Sequence, residues 1–141
     1  MNRELAIAEW RHAREALRSA QILAREELGT DAVSRAYYAI LHAAKAALHV
    51  NDVGADSHAA VKRLFGLHLI RSGVIEAEWS AHLGRSLEER LVADYDAEAM
   101  FSAREAKYEC QRARKFVGRI RRYLLVNGFT EKELRVGGRR G

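Results

Sequence analysis

Apolar side chains recur at steps of three and four along almost the whole chain, and the sharpest case is the stretch from Val33 to His49. At about 100° per residue on a helix, this stretch separates into three faces. Val33, Tyr37, Leu41, Ala44 and Leu48 share an apolar face. Ala36, Ala39, Ala43 and Ala46 form a smooth strip that lets another backbone approach closely. Arg35, Tyr38, His42, Lys45 and His49 fall on one narrow polar stripe. A guanidinium, a phenol, imidazoles and an ammonium in line can bind phosphate, stack on bases or move protons.

The same periodicity predicts the other elements. Ala6, Trp10, Ala13, Leu17, Ala20 and Ala24 predict a first helix from about Arg3 to Leu28, stopped by Gly29. Thr30 or Asp31 can cap the second helix, which ends near Val50. Ser57 is the expected cap of a third, carrying Val61, Leu64, Phe65 and Leu69 and closed by Gly73. A fourth covers about Ala77 to Val92, with Leu83, Leu87 and Leu91 inward. Asp94-Tyr95-Asp96 breaks the pattern, and Asp96 can cap a last helix reaching Val126. The seam Ala99, Ala103, Ala106, Cys110, Ala113, Val117, Ile120, Leu124 is small at its start and large at its end. This predicts an all-α fold, an up-and-down four-helix bundle with a short extra helix over 1–126. A basic, mobile tail follows over 127–141. The small-residue faces predict a homodimer.

Composition agrees with helix throughout: there is no proline, and hydrophobic residues make up 48% of the chain. The single Cys110 excludes an internal disulfide and suits a reducing cytoplasm. At an apolar helical position it reads as a buried, inert thiol. No signal-peptide pattern and no bilayer-spanning apolar run is apparent. The net charge of +5 is uneven. Residues 1–99 hold 12 Lys/Arg against 15 Asp/Glu, and residues 100–141 hold 12 against 4. That points to an acidic partner, nucleic acid or protein, or to a solvated helix face. Arg119 and Arg122 are the candidate contacts on the basic last helix.

Metal chemistry finds no support. A di-iron bundle needs two Glu-x-x-His pairs, and only Glu9–His12 has that spacing. The histidines are scattered and there is no Cys pair for zinc. No Gly-rich phosphate loop or Gly-x-Ser-x-Gly occurs, so no cofactor is expected. Two constellations remain: the stripe on the second helix, and Arg90, Asp94, Tyr95 and Asp96. Their bland readings are a solvated helix face and a salt-bridged turn.

Ser34-Arg35-Ala36-Tyr37-Tyr38-Ala39 and the following His42-Ala43-Ala44-Lys45 stretch resemble the opening of a HEPN domain. The likeness continues at Ser57-His58, Leu64-Phe65-Gly66, Arg90–Asp96 and the alanine-rich last helix, roughly residues 3–126. HEPN domains are small helical modules of prokaryotic toxin–antitoxin pairs. The resemblance implies a dimer in which two motifs meet in one cleft and cleave RNA without metal. A His or Arg assists attack of a ribose 2′-hydroxyl on the adjacent phosphate, and Arg stabilises the developing charge. It also implies a minimal nucleotidyltransferase as antitoxin partner, which in some pairs modifies a HEPN tyrosine.

Carried onto this chain, the motif Arg falls at Arg90. Active family members place a polar residue and then a His after it. Here Leu91 follows, and Tyr95 stands where the His is expected. Tyrosine is a poor base at neutral pH, with an ordinary pKa of about 10. The candidate catalytic residues are therefore Arg90, Asp94, Tyr95 and His42. Arg35, Tyr38, Lys45, Arg119 and Arg122 are the candidate RNA or nucleotide contacts. Three readings follow: a ribonuclease-type toxin component, a non-catalytic RNA- or nucleotide-binding module, and an adaptor bundle docking an acidic protein.

Overall fold

The computed structural model describes residues 1–136, and its regular structure is helical: α1 (Arg3–Arg25), α2 (Gly29–Val50), α3 (His58–Phe65), α4 (Glu78–Tyr95), α5 (Ala103–Val126) and α6 (Glu131–Val136). A π-helical turn over Gly66–Ile70 prolongs α3. No strand occurs among the described residues, and none of their helices is long and apolar enough to cross a membrane.

α2 lies at the centre, packed against α1, α3, α4 and α5. Fourteen of its 22 residues are buried, so it is a core helix rather than a surface one. The alanine strip explains how so many neighbours fit. Ala36, Ala39, Ala43 and Ala46 are at most 3% exposed, all within a single chain. The strip was expected to face a second copy. It is consumed internally, so it supplies no surface for dimer formation.

Helix ends correct the pattern-based boundaries. α4 runs on to Tyr95, so Arg90, Asp94 and Tyr95 share one helix, and Asp96 closes α4 instead of opening α5. α5 starts later, because Ser102 and Glu105 form a capping box: Ser102 Oγ accepts from Glu105 N–H at 3.1 Å, and Glu105 accepts from Ser102 N–H at 2.9 Å. Ala99 therefore lies outside the α5 seam. Leu91, expected inward, is 44% exposed. Ser57 caps α3 as expected, accepting from Ala60 N–H at 3.0 Å.

The stretch after Val126 also departs from expectation. Thr130 and Glu133 build a second capping box, and Phe129 and Leu134 are buried anchors that dock α6. Trp10 donates its indole N–H to Leu134 O at 2.9 Å, and Arg3 pairs with Glu133 at 2.8 Å. The expected mobile tail is thus packed as far as Leu134. Residues 137–141, with Arg139 and Arg140, lie outside the described residues.

One glycine is required by packing. A Cβ on Gly29, the first residue of α2, would lie 2.2 Å from Phe101 O, a backbone atom that cannot swing aside. Alanine is the better helix former by up to about 1 kcal/mol. Gly29→Ala should nevertheless destabilise the protein by about 1–3 kcal/mol through overpacking. Urea unfolding checks this, and an unchanged or raised midpoint would contradict it.

Candidate functional site

The polar stripe of α2 emerges where α1 and α4 flank it. Arg90, from α4, is the meeting point. Its side chain is 12% exposed, and its Nε lies 2.8 Å from Asp94 Oδ2 one turn on. That approach is an ion pair rather than an aligned hydrogen bond, since Nε has no hydrogen-bond partner. Nη2 donates to Tyr38 Oη at 3.0 Å. The guanidinium carbon lies 5.9, 5.6 and 5.5 Å from the ring centres of Tyr37, Tyr38 and Tyr95, within cation–π range. Burial works against the charge. The Tyr38 hydrogen bond and the neighbouring Tyr38, Asp94 and Tyr95 more than offset it, raising the Arg90 pKa above its ordinary value.

Across Tyr38 from this arginine is a cleft of about 350 Å³ lined by His12, Glu15, Ala16 and Ser19 of α1 and Arg35, Tyr38 and His42 of α2. The Arg35 guanidinium sits 4.9 Å from the centre of the Tyr38 ring. His42 donates Nδ1–H to Glu9 Oε1 at 2.6 Å. With a carboxylate on Nδ1, the neutral form of the ring carries its proton there and presents the Nε2 lone pair as an acceptor. Glu9 also holds Lys45 at 3.4 Å. Burial pushes the Glu9 pKa up, but the His42 hydrogen bond and the Lys45 charge prevail, and it lies below its ordinary value.

The fold thus gathers Arg35, Tyr38, His42, Lys45, Arg90, Asp94 and Tyr95 into one neighbourhood. Tyr38 links its halves, bonded to Arg90 and 6.4 Å from the His42 ring. Arg119 does not join them and is not an open cation. It is 9% exposed, donating to Glu76 at 2.7 Å and to Val74 O at 3.0 Å. The Arg119 hydrogen bond holds the Glu76 carboxyl down to about 2. Arg122 stays exposed on α5. His49, at the far end of the stripe, is buried, and burial lowers its pKa. Cys110 is buried, and burial pushes its thiol up to about 11, as an inert position requires.

Four neighbours escaped the sequence reading. Glu9 and His12 were weighed only as metal ligands, yet their spacing puts both on the α1 flank facing His42. The His12 and His42 ring centres are 5.1 Å apart. Tyr37 and His58 form the third side. Tyr37 Oη and His58 Nδ1 are hydrogen-bonded at 2.5 Å, behind Arg90. Burial, then the charge of Arg90, lowers the His58 pKa and favours the neutral ring. The available signal was the place of His58 directly after a capping serine, which fixes its position at the start of α3. Among the described residues no three His, Cys, Asp or Glu side chains gather as a metal site.

A helical protein with a partly buried arginine joined through Tyr38 to a cationic and imidazole-lined cleft is the class these features define. The chain belongs to the HEPN domain family, whose model matches residues 7–127. A Methanocaldococcus jannaschii protein named "Putative toxin" is 38% identical over 112 residues, 79% of this chain and 83% of that protein. A second protein so named from the same organism is 26% identical over 121 residues, 86% and 82% of the two chains. A UPF0332 protein of Thermotoga maritima is 28% identical over 126 residues, 88% of this chain and 96% of that one.

The Glu9 contact predicts an acid-side stability change. A carboxyl whose native pKa is lowered stabilises the fold fully above its unfolded pKa of about 4.3. That contribution is lost as pH falls through the lower native value. The wild-type melting temperature should therefore drop more steeply below about pH 4.3 than that of Glu9→Gln. Parallel melting-temperature profiles for the two proteins would contradict this account.

Proposed function

We propose that this chain is the toxin-type member of a two-gene pair, and that it binds RNA and cleaves it without metal at the Arg90 cleft. The observation that carries the proposal is the Arg90 guanidinium, fixed by Tyr38 and Asp94 and joined through Tyr38 to a cleft lined by Arg35 and His42. The names of the M. jannaschii relatives support the toxin assignment. In this reading Arg35 and Lys45 draw the phosphate backbone in, and the Tyr38 ring offers a face to a base. His42 Nε2 takes the 2′-hydroxyl proton as that oxygen bonds to phosphorus. Arg90 stabilises the charge on the phosphoryl oxygens while the bond to the 5′-oxygen breaks. The 5′-oxygen takes a proton from water, so the products carry a 2′,3′-cyclic phosphate and a 5′-hydroxyl. Tyr95 and Asp94 shape the arginine's surroundings.

A second copy completes the arrangement in this proposal. Leu91, Val92, Tyr95 and Met100 are exposed apolar side chains at the end of α4 and just beyond it. Dimerisation on that face sets two Arg90 clefts side by side. The partner gene product is a minimal nucleotidyltransferase, and the pair works in the cytoplasm. Sedimentation at micromolar concentration should give twice the chain mass, and a monomer at every concentration would end the paired-cleft scheme.

The second reading is a non-catalytic RNA- or nucleotide-binding module that docks the same partner. One observation favours it: Leu91 and Tyr95 occupy the places of the polar residue and the histidine after the motif arginine.

RNA cleavage in EDTA separates the two. The proposal expects cyclic-phosphate ends from the wild type and a loss of about 100- to 1000-fold in Arg90→Ala. His42→Ala should lose about 100-fold or more if it is the base. Both variants should keep the wild-type circular dichroism spectrum. Full activity in both would refute these roles. Binding without cleavage by the wild type would establish the second reading.

A further inference from the structure

A second groove lies on the other flank of α1. α1 and α5 run antiparallel: Arg3 at the start of α1 reaches Gly128 O beyond α5, at 3.1 Å. At the opposite end Gln21, Ala24, Arg25 and Glu27 face Ala103, Lys107, Cys110, Gln111 and Arg114 across a groove of about 620 Å³. The residues α1 turns to the Arg90 cleft are others, among them His12 and Ser19. Helical spacing places Gln21, Ala24 and Arg25 on roughly the opposite side of α1 from them.

The groove is cationic, with Arg25, Lys107 and Arg114 on its walls against the single acid Glu27. None of these three cations makes an ion pair among the described residues. Its floor carries the small side chains of Ala24, Ala103 and Cys110, and no aromatic ring lines it. Along α5 the groove extends from Ala103 to Arg114. At 1.5 Å per residue that is about 16 Å, or three helical turns.

We infer that this groove is the docking site for an acidic amphipathic helix of a partner protein, about three turns long. The floor decides between macromolecules. A small, partly apolar floor suits the close approach of a helix with small apolar residues on its inner face. Cations on both rims suit carboxylates flanking that face. The aromatic faces on which single-stranded RNA stacks its bases are absent from the groove's lining. The site is separate from the Arg90 cleft and does not depend on the cleavage reading.

Amide NMR of the full chain tests the inference with three probes. The first is a synthetic helical peptide with an Ala/Leu inner face flanked by Glu, the second its Lys counterpart, and the third a single-stranded RNA oligonucleotide. The Glu peptide should shift the amides of Gln21, Ala24, Lys107 and Gln111 while leaving those of Tyr38 and Arg90 in place. The triple variant Arg25→Glu, Lys107→Glu, Arg114→Glu should bind it about tenfold more weakly and gain binding to the Lys peptide. Ala103→Trp, which fills the floor without changing charge, should weaken the Glu peptide as well. Absence of groove shifts at millimolar peptide, or unchanged binding by the triple variant, overturns the inference. So does displacement of the peptide from these amides by RNA, which would make the groove a nucleic-acid surface.

Discussion

A helix enclosed on nearly every side can keep polar side chains only where each finds a partner, because an unpaired polar group away from water is costly. α2 is such a helix, and the rest of the structure answers to it. Tyr37 is met by His58, Tyr38 by Arg90, and His42 and Lys45 by Glu9. Asn51, just past its end, donates to Tyr123 Oη at 3.0 Å. The partners come from α1, α3, α4 and α5, so satisfying one helix fixes the seating of four others. The same contacts hold the cleft's functional groups in single orientations. Pre-organisation of the site is thus a consequence of packing, since the groups that would meet a ligand are also those that make α2 tolerable inside the fold.

Much of this was legible in the chain. The three faces of α2 could be read from spacing alone, since a period of 3.6 separates alanine, aliphatic and polar positions cleanly. The family likeness pointed to Arg90, which α4 sets against Tyr38 of α2. What spacing could not supply was which surfaces remain open. The alanine strip looks the same whether it faces another helix of its own chain or a second copy. Leu91 continues an apolar pattern that α4 no longer buries. The two capping boxes, Ser102-x-x-Glu105 and Thr130-x-x-Glu133, were visible as motifs and would have moved the start of α5 and revealed α6. The capping serine before it places His58 at the start of α3, but its meeting with Tyr37, 21 residues away, is a tertiary contact that spacing does not encode.

Charge counting misled for a related reason. The positive excess of the last third reads as one basic surface, but α5 is amphipathic and buries part of it. Arg112 is closed off by Glu109 at 2.5 Å and by His82 O at 3.1 Å, and Arg119 by Glu76 and Val74 O. Such arginines are fasteners between elements, and removing either partner would strand a charge. The cations left to the outside are fewer and sort onto separate flanks. Arg35 belongs to the cleft, and Arg25, Lys107 and Arg114 belong to the groove on the other side of α1.

The indole of Trp10 binds a carbonyl 124 residues further along, at Leu134. Leu134 thereby ties α6 to α1 across nearly the whole described chain. A chain truncated before Leu134 would leave the buried indole N–H without its acceptor, so a change at one end of the sequence is felt inside the first helix.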